Sequence, residues 1–433
     1  MLTQTEILKY LYGLERGGIK PGLERIERLM QALDNPHLSY PCVHIGGTNG
    51  KGSTAAMTAS ILMQAGYRVG LYTSPHLERF NERIRINDKE LSNASLVKAA
   101  LQVKKAAMTM PPTIGSPSFF EFTTAMALQY FKDKAVDIAI IEVGMGGRWD
   151  ATNIIKPLVS VITTVDIDHC DYLGNSLSLI AAEKAGIIKK GVPVVCGEGK
   201  AVALTIIAKA ARESDAKLYR LRHDFSMVDA EKGCDYNGID EEIKALRLGL
   251  AGGHQKINAA CVLAVIEILK QGAWRISSKA IRDGLRKVRW PARVEVVGRR
   301  PLVIIDSAHN PAGARTLAQA LTGFRYKRLF LVIGIMGDKD MEGILAPLAP
   351  LAHKLILCAP AGTRAARPQV LSCKAERYDK EIIIAPSVRA ACKTALRAAT
   401  AQDAVCVTGS IFTVGEARGP LGRACRRRSG SKR

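Results

Sequence analysis

A glycine-rich segment near the N-terminus has the composition of a phosphate-binding loop. It runs Val43-His44-Ile45-Gly46-Gly47-Thr48-Asn49-Gly50-Lys51-Gly52-Ser53-Thr54. Glycines let successive backbone N–H groups face an anion, a following helix N-terminus adds its positive end, and Lys51 supplies a cation. A flexible glycine turn capped by Ser53 is the structural alternative. The apolar strand pattern before the segment and the helical pattern after it favour the phosphate loop.

This segment is a variant of the strict P-loop. Ile45 and Gly52 occupy the places of the first glycine and of the Ser/Thr that follows the lysine, and Ser53 comes one residue late. The loop alone therefore does not define the protein, and the residues around it have to decide.

Two ionisable residues follow apolar runs elsewhere in the chain. Glu142 ends the run 138–141, where a carboxylate could hold Mg²⁺ over bound phosphates or cap a neighbouring helix. His169 follows the run 158–165 and is either a second metal ligand or a core histidine. The carboxyl ends of parallel strands are where open α/β sheets bind ligands. Position alone does not choose between the two interpretations of Glu142, and for His169 taken alone it favours the core histidine.

Composition restricts the class of protein. The chain has 433 residues, so two domains are expected, and 47% hydrophobic with 24% charged residues is typical of a folded α/β protein. Ten cysteines without a CxxC pair indicate reduced thiols. No secretion signal or membrane span is apparent, and we expect a cytoplasmic protein.

The net charge of +22 raises the possibility of nucleic-acid binding. Seven basic and no acidic residues lie between Arg418 and Arg433, yet the rest of the chain keeps a charge of +15. No recognition-helix, RNA-recognition or zinc-finger pattern accompanies this charge. We interpret it as a basic surface that attracts anionic small molecules, and expect neither a nucleic acid nor a membrane as partner.

The hydrophobic periodicity predicts an α/β fold with two doubly wound parts. Helices are predicted at 5–15, 22–33, 55–65 and 258–269, and a weak hairpin at 230–250. One strand is predicted directly before the glycine-rich loop. Further strands are predicted at 67–72, 137–143, 158–165, 192–196, 302–305, 328–335, 354–358, 381–384 and 404–407. We expect a P-loop parallel-sheet domain at 1–290, a smaller Rossmann-like domain at 291–417 and a disordered basic tail at 418–433.

Several further motifs, in order, resemble the folylpolyglutamate synthase/dihydrofolate synthase family. Besides Gly47 to Ser53 they are Thr73-Ser74-Pro75-His76-Leu77, Phe80-Asn81-Glu82-Arg83-Ile84, Glu142 to Arg148, Asp150-Ala151-Thr152-Asn153, Glu183-Lys184-Ala185-Gly186, His254-Gln255, Asn258-Ala259-Ala260, Pro291-Ala292-Arg293, Asp306 to Pro311, Asp338-Lys339-Asp340 and Gly409-Ser410. Family proteins commonly have glycine where this chain has Ala292 and Ser307. The resemblance covers roughly residues 5–416, and ordered motifs are far more specific than one loop.

The resemblance implies a Mur-type, ATP-dependent, amide-forming ligase with an N-terminal ATPase domain. The implied ATP-binding residues are Gly47, Thr48, Asn49, Gly50, Lys51, Gly52, Ser53, Asn258, Arg293, Asp306 and His309. One or two Mg²⁺ ions would be held by Ser74, Glu142, His169 and Lys184, the last as a carbamate. The implied catalytic residues are Lys51, Glu142, His169, Lys184 and His309.

For the pterin end of the substrate the resemblance implies a different set of residues: Arg83, Phe120, Glu121, Phe122, Trp149, Asp150 and Ala151. Aromatic rings can stack on a pterin and a carboxylate can accept its N–H groups, although core packing is an equal alternative for the phenylalanines.

The expected reaction adds L-glutamate to dihydropteroate, to a reduced folate, or to both, through an acyl phosphate made from ATP, in a monomeric enzyme. A Mur-type ligase of cell-wall precursors and a basic nucleic-acid-binding protein are the alternatives.

Overall fold

The computed structural model describes residues 3–14 and 21–430, which form two compact units. The first unit extends to Gly249 and includes Lys256–Val288, and the second comprises Leu250–Gln255 and the chain from Arg289 onward. The predicted boundary at residue 291 lies close to Arg289, but the grouping of Leu250–Gln255 with the second unit was not foreseen. In the described ranges, no helix is long and apolar enough to cross a membrane.

An eight-stranded sheet forms the centre of the first unit, in the order β4-β3-β2-β5-β1-β6-β7-β8. Its strands are β1 (Cys42–Gly46), β2 (Val69–Tyr72), β3 (Ile84–Ile86), β4 (Lys89–Glu90), β5 (Ile138–Glu142), β6 (Val159–Ile162), β7 (Val194–Cys196) and β8 (Leu218–Arg220). Strand β1 is central and pairs in parallel with β5 and β6. The edge hairpin β3–β4 pairs antiparallel and was not predicted, since two- and three-residue strands carry almost no periodicity.

A separate three-stranded antiparallel sheet contains β9 (Ser226–Ala230), β10 (Gly233–Asn237) and β11 (Glu242–Leu246). It corresponds to the weak hairpin predicted at 230–250. The buried Glu267 carboxylate accepts the Tyr236 hydroxyl proton at 2.6 Å and the Asp240 N–H at 2.8 Å, and so holds the connection between β10 and β11.

The described part of the chain up to Lys287 contains ten α-helices. They are α1 (Gln4–Leu14), α2 (Glu24–Gln31), α3 (Lys51–Gln64), α4 (Asn93–Ala107), α5 (Phe119–Asp133), α6 (Cys170–Leu173), α7 (Leu177–Ala185), α8 (Ala201–Glu213), α9 (His254–Gln271) and α10 (Ser278–Lys287). The predicted first helix included residue 15, which lies outside the described residues. Helix α3 begins at Lys51 rather than at the predicted residue 55, so the glycine-rich loop passes directly into the helix.

Helix α3 is buried on nearly all sides because it lies between the sheet and α10. Residues 52–62 are all buried, and the Ser60 hydroxyl donates to the Gly284 carbonyl of α10 at 2.8 Å. A Cβ on Gly284 would lie 2.5 Å from the Ile61 Cα, so this close helix contact requires glycine. The phosphate-loop helix is therefore fixed from both sides.

The second unit has a six-stranded sheet in the order β12-β13-β17-β14-β15-β16. Its strands are β12 (Glu295–Arg299), β13 (Leu302–Ile305), β14 (Leu329–Ile333), β15 (Lys354–Leu357), β16 (Glu381–Ile384) and β17 (Ala404–Thr408). Its helices are α11 (Pro311–Leu321), α12 (Met341–Leu348), α13 (Pro368–Ala375), α14 (Val388–Ala398) and α15 (Ile411–Gly430). The five predicted strands are present and parallel, and the antiparallel edge strand β12 is additional.

The predicted disordered tail differs from the structure, because α15 continues through Gly430. Val414, Ala417 and Leu421 recur at helical spacing and are buried, and Arg418 forms an ion pair with Glu295 at 3.3 Å. Arginine also favours helix. These contributions outweigh Gly419 and Pro420, on which the tail prediction rested; residues 431–433 lie outside the described residues.

A buried polar chain connects the central strand to the loop that follows β5. His44 in β1 is fully buried, and its Nε2 lies 2.8 Å from the Thr152 hydroxyl, which in turn lies 2.5 Å from Asp150 Oδ1. The Thr152 proton goes to the carboxylate, so His44 Nε2–H donates to Thr152 and Nδ1 is unprotonated. Within the described residues Nδ1 has no hydrogen-bond partner. Burial, with a smaller contribution from Lys189, lowers the pKa of His44 to about 3.

This pKa predicts a specific loss of stability in acid. An unfolded histidine has a pKa near 6.5, so below that pH the unfolded chain binds a proton that folded His44 takes up only near pH 3. Stability should therefore fall as the pH decreases through this window, by about 2 kcal/mol between pH 7.5 and 5.0 from this group alone. His44→Gln keeps an N–H donor towards Thr152 but does not titrate, so its urea midpoint should depend less on pH.

His223→Gln provides the control, because His223 is exposed beside Asp224. This variant should keep the pH dependence of the unsubstituted protein. If His44→Gln also keeps it, the assignment of the acid sensitivity to His44 is wrong.

Candidate functional site

The glycine-rich loop connects β1 to α3 in a conformation that requires glycine at two positions. Gly47 and Gly50 have φ values of 137° and 88°. A Cβ at Gly47 would lie 1.9 Å from the Thr163 hydroxyl oxygen, and one at Gly50 would lie 2.4 Å from Asn258 Oδ1. The loop is thus packed against the end of β6 on one side and against α9 on the other.

Two threonines after β6 fix the loop backbone. The Thr48 N–H donates to the Thr164 carbonyl at 2.7 Å, and the Asn49 N–H donates to the Thr164 hydroxyl at 3.1 Å. The Thr163 hydroxyl donates to the Asn49 carbonyl at 2.6 Å. Sequence reasoning missed both threonines, although the polar end of the apolar run 158–165 was a usable signal.

Lys51 lies over the loop that precedes it. Its Nζ donates to the carbonyl groups of Gly47 at 3.0 Å and Thr48 at 3.1 Å. The ammonium group is therefore held at the N-terminus of α3, where an anion would gain from both the lysine charge and the helix end. Gly52 and Ser53 are buried in the first turn of α3.

Glu142 and Ser74 are brought together at the carboxyl edge of the sheet. Glu142 is the buried last residue of β5, in register with Ile45 of β1, and its Oε2 accepts the Ser74 N–H at 3.0 Å. His169 lies beside Asp168, with its ring Nε2 3.9 Å from Asp168 Oδ1. Among the described residues, no three His, Cys, Asp or Glu side chains form a ready-made metal cluster.

This arrangement suits Mg²⁺ better than a metal that needs a complete protein cage. Mg²⁺ keeps several waters and is usually bound by one or two carboxylates together with substrate phosphates. The Glu142 carboxylate at the end of β5, beside the loop that ends β1, provides such an oxygen donor.

Lys184 is buried at the end of α7 near other charges. Burial, followed by the neighbouring Lys51 ammonium, lowers the pKa of Lys184 to about 7, against the opposing influence of Asp168, Asp150 and Asp166. The Arg148 N–H donates to the Glu183 carbonyl at 2.8 Å, which closes the loop after β5 over this helix end. A large fraction of the Lys184 amine is thus neutral near pH 7.

Three of the predicted pterin residues make contacts that hold the protein's own structure. Phe122 is fully buried, with its ring 5.6 Å from that of Tyr10, so it belongs to the core. Glu121 forms an ion pair with Arg25 at 3.1 Å and accepts the Ser118 N–H at 2.7 Å in a capping box of α5. Helix α5 turns both side chains inward, which for Phe122 matches the core-packing alternative; their assignment to the pterin stays a prediction.

Asp150 is the third of these structural residues. It is buried and accepts the N–H groups of Met145 at 2.9 Å and Thr152 at 3.0 Å. Burial raises the pKa of its carboxyl, and these hydrogen bonds oppose that effect. Asp150 therefore shapes the loop between β5 and the turn Ala151–Ile154. Ala151 is buried, while the neighbouring Trp149 is 53% exposed.

Phe120 and Arg83 remain as candidates on this side of the first unit. Phe120 is partly buried, and a Cβ on Gly144 would lie 2.4 Å from its Cζ, so glycine leaves room for the end of this ring beside the loop. Arg83 donates from Nε to His76 Nδ1 at 2.8 Å, and its guanidinium lies 5.2 Å from the centre of the Phe119 ring. Sequence reasoning did not assign His76 or Phe119, although His76 lies inside a quoted motif and Phe119 directly precedes Phe120.

In the second unit, Asp306 and His309 follow β13. Asp306 is buried and accepts the N–H groups of Val294 and Ala308, both at 2.8 Å. His309 Nδ1 lies 2.9 Å from the Ser307 carbonyl, which can only accept, so Nδ1 carries the proton and Nε2 is the acceptor. Arg293 donates from Nη1 to the Ala292 carbonyl at 2.9 Å and the Ser307 hydroxyl at 2.8 Å.

Comparison with known families assigns both units. Residues 45–266 match the Mur ligase middle domain, and residues 292–411 match the Mur ligase, glutamate ligase domain. A Mycobacterium tuberculosis dihydrofolate synthase/folylpolyglutamate synthase is 36% identical over 94% of this chain and 91% of its own length. A probable bifunctional folylpolyglutamate synthase/dihydropteroate synthase of Haloferax volcanii is 35% identical over 97% of this chain, which spans about half (50%) of that relative.

Solved structures agree with these matches. Escherichia coli FolC in complex with DHPP and ADP is similar with a TM-score of 0.90 and 34% identity, over 98% of this chain and 99% of that one. A Yersinia pestis bifunctional folylpolyglutamate synthase/dihydrofolate synthase with Mn, AMPPNP and L-glutamate bound gives a TM-score of 0.86 and 34% identity, over 97% of this chain and 98% of that one. The chain belongs to the folylpolyglutamate synthase/dihydrofolate synthase family of Mur-type, ATP-dependent ligases.

Proposed function

We propose that this protein uses ATP to join L-glutamate to dihydropteroate, to a reduced folate, or to both. The observation that carries the proposal is the loop Gly47–Gly50 with Lys51 at the start of α3, held by Thr163 and Thr164. Its amides and ammonium group form a site for phosphates, and the family membership supplies the acceptor chemistry.

The reaction needs ATP because a carboxylate is a poor electrophile. A carboxylate oxygen of the pteroate or folate attacks the γ-phosphorus of ATP, the bond to the β-phosphate oxygen breaks, and ADP leaves. The amine of L-glutamate then attacks the acyl carbon, phosphate leaves with the electrons of the C–O bond, and the amine loses a proton. The protein contributes positioning and positive charge against the developing negative charge.

For the phosphates of ATP we propose the loop Gly47 to Ser53, with Lys51 moving from the loop carbonyls to the β- and γ-phosphates. Asn258, in contact with Gly50, is proposed for the adenine, and Arg293, Asp306 and His309 of the second unit for other parts of the nucleotide. Since the reaction consumes ATP, we place the protein in the cytoplasm.

Ser74, Glu142, His169 and a carbamate on Lys184 are proposed to hold Mg²⁺. Bound there, the metal would neutralise phosphate charge during transfer. Glu142 supplies a buried oxygen donor, and its hydrogen bond from Ser74 fixes the carboxylate orientation.

The environment of Lys184 supports carbamylation. Its pKa of about 7 leaves a neutral amine whose lone pair can attack the carbon of CO₂, forming an N–C bond and releasing a proton. The product is an anion, so the repulsion from Lys51 becomes an attraction. An anionic oxygen at this place is also a suitable ligand for a hard cation.

For the pterin end we retain Phe120 and Arg83 and assign Asp150 a supporting role. The partly exposed Phe120 ring lies on Gly144, and the Arg83 guanidinium is oriented by His76 and the Phe119 ring. Trp149 is accessible enough for stacking.

The proposed reaction is tested by ADP release with each substrate omitted in turn. With ATP, Mg²⁺ and L-glutamate, ADP and a ligated product should appear only when dihydropteroate or tetrahydrofolate monoglutamate is added, and the comparison identifies the preferred acceptor. Lys51→Ala should lower kcat on the order of 100-fold or more, because a charge next to the transferred phosphate is lost. Lys98→Ala, which removes an exposed lysine of α4, is the control and should leave turnover unchanged.

Other outcomes would contradict the proposal. Ligation of glutamate to a UDP-linked sugar peptide would support a cell-wall ligase instead. Salt-sensitive binding to DNA or RNA that survives Lys51→Ala, without ligated product, would support a nucleic-acid-binding protein.

The carbamate is tested independently of turnover by ¹³C NMR after incubation with ¹³C-bicarbonate. A carbamate signal should increase as the pH rises through about 7, where the Lys184 amine becomes neutral. It should be absent from Lys184→Met and present in Lys190→Met, which removes a nearby exposed lysine. An equal signal in both variants, or none in the unsubstituted protein, would show that Lys184 is not carbamylated.

A further inference from the structure

The turn that carries Arg293 has an unusual backbone. Ala292 and Val294, on either side of Arg293, have φ values of 57° and 48°, in the left-handed region. This region is strained for a β-branched residue such as valine. Strain of this kind persists only where the surrounding structure determines the conformation, so the groups that hold this turn require an explanation.

Ser307 is the first of these groups. It is buried, its N–H and hydroxyl both donate to the Ala292 carbonyl, at 3.1 and 3.0 Å, and its hydroxyl oxygen accepts from Arg293 Nη1 at 2.8 Å. The carbonyl can only accept, so the hydroxyl proton is directed to Ala292 and the oxygen lone pair to the guanidinium. A single hydroxyl thus joins the strained backbone to the arginine side chain.

Glu295 and Arg418 hold the same turn from the other side. Glu295 Oε2 accepts the Ala292 N–H at 2.9 Å, and its two carboxylate oxygens accept from Nε and Nη2 of Arg418, each at 3.3 Å. Arg418 belongs to α15, which packs on β12: a Cβ on Gly298 would lie 2.6 Å from the Cys425 sulfur. Asp306 completes the arrangement by accepting the Val294 N–H at 2.8 Å.

We infer that Ser307, together with the Glu295–Arg418 pair on the C-terminal helix, acts as a positioning device that aims Arg293 at the nucleotide. The inference rests on the nucleotide role proposed for Arg293. Ser307 and Glu295 act through Arg293 and are not assigned a contact with the substrates. The C-terminal helix, which the sequence did not predict, thereby becomes part of the support for catalysis.

The test measures KM for ATP, kcat and the thermal unfolding midpoint of full-length variants. Arg293→Ala should raise KM for ATP. Ser307→Ala should raise it on the order of 10-fold, as expected for the loss of one hydrogen bond to a charged group. In the Arg293→Ala background, Ser307→Ala should have no further effect on KM, since the hydroxyl then has nothing to orient.

Ser387→Ala is the matched control. It removes one serine hydrogen bond in the same unit, at the N-cap of α14, and should lower the unfolding midpoint without changing KM. If Ser307→Ala behaves like this control, or raises KM equally with and without Arg293, the positioning role is overturned. An Arg293→Ala variant with normal KM and kcat would overturn both the proposed role of Arg293 and this inference.

Glu295→Gln is the second variant, for use if Ser307→Ala does not fold. Glutamine keeps an acceptor for the Ala292 N–H but loses the charge that attracts Arg418, so a smaller rise in KM is expected, again only when Arg293 is present. Equal KM values for Glu295→Gln and the unsubstituted protein would show that the C-terminal helix does not help to position Arg293.

Discussion

The close approach between the glycine-rich loop and the end of β6 is the constraint on which the first unit depends. Thr48 and Asn49 are bonded to Thr164, and Gly47 faces the Thr163 hydroxyl at a distance that excludes any side chain. With the loop fixed there, α3 must begin at Lys51, and the parallel register of β1 and β5 sets Glu142 opposite Ile45. The lysine and the carboxylate are thus held by backbone geometry more than by their own contacts.

The charges and hydrogen bonds around this loop distinguish side chains that are available to react from side chains whose groups are bonded within the protein. Burial, followed by the charge of Lys51, lowers the pKa of Lys184 to about 7, which gives Lys184 an amine that can react. Asp150, Glu121 and Phe122 lie close in sequence to such residues, but their functional groups are already used by loop amides, by Arg25 and by the core. A carboxylate whose acceptor sites are occupied by backbone N–H groups stabilises a loop conformation, and its burial makes it costly to disturb.

In the second unit, too, side chains bond to backbone groups and so hold a turn in its conformation. Its turn at Ala292–Val294 adopts an unfavourable conformation, and the Asp306, Ser307 and Glu295 side chains each satisfy a backbone group of that turn. The chain has Ala292 and Ser307 where the family commonly has glycine. In this protein the serine hydroxyl bonds the Ala292 carbonyl and supports a conformation that glycine would adopt without strain.

The sequence by itself determined the α/β class, most strands and helices, the phosphate loop and the family, because hydrophobic periodicity and ordered motifs are local properties of the chain. Only the tertiary structure decided which motif residues are buried and which groups their side chains bond. Phe122 turned inward, Glu121 capped its own helix, Thr163 and Thr164 proved to hold the loop, and the basic C-terminus became a helix because Glu295 and a buried apolar face were available to it. Burial and hydrogen-bond partners depend on residues distant in sequence, and local patterns do not contain that information.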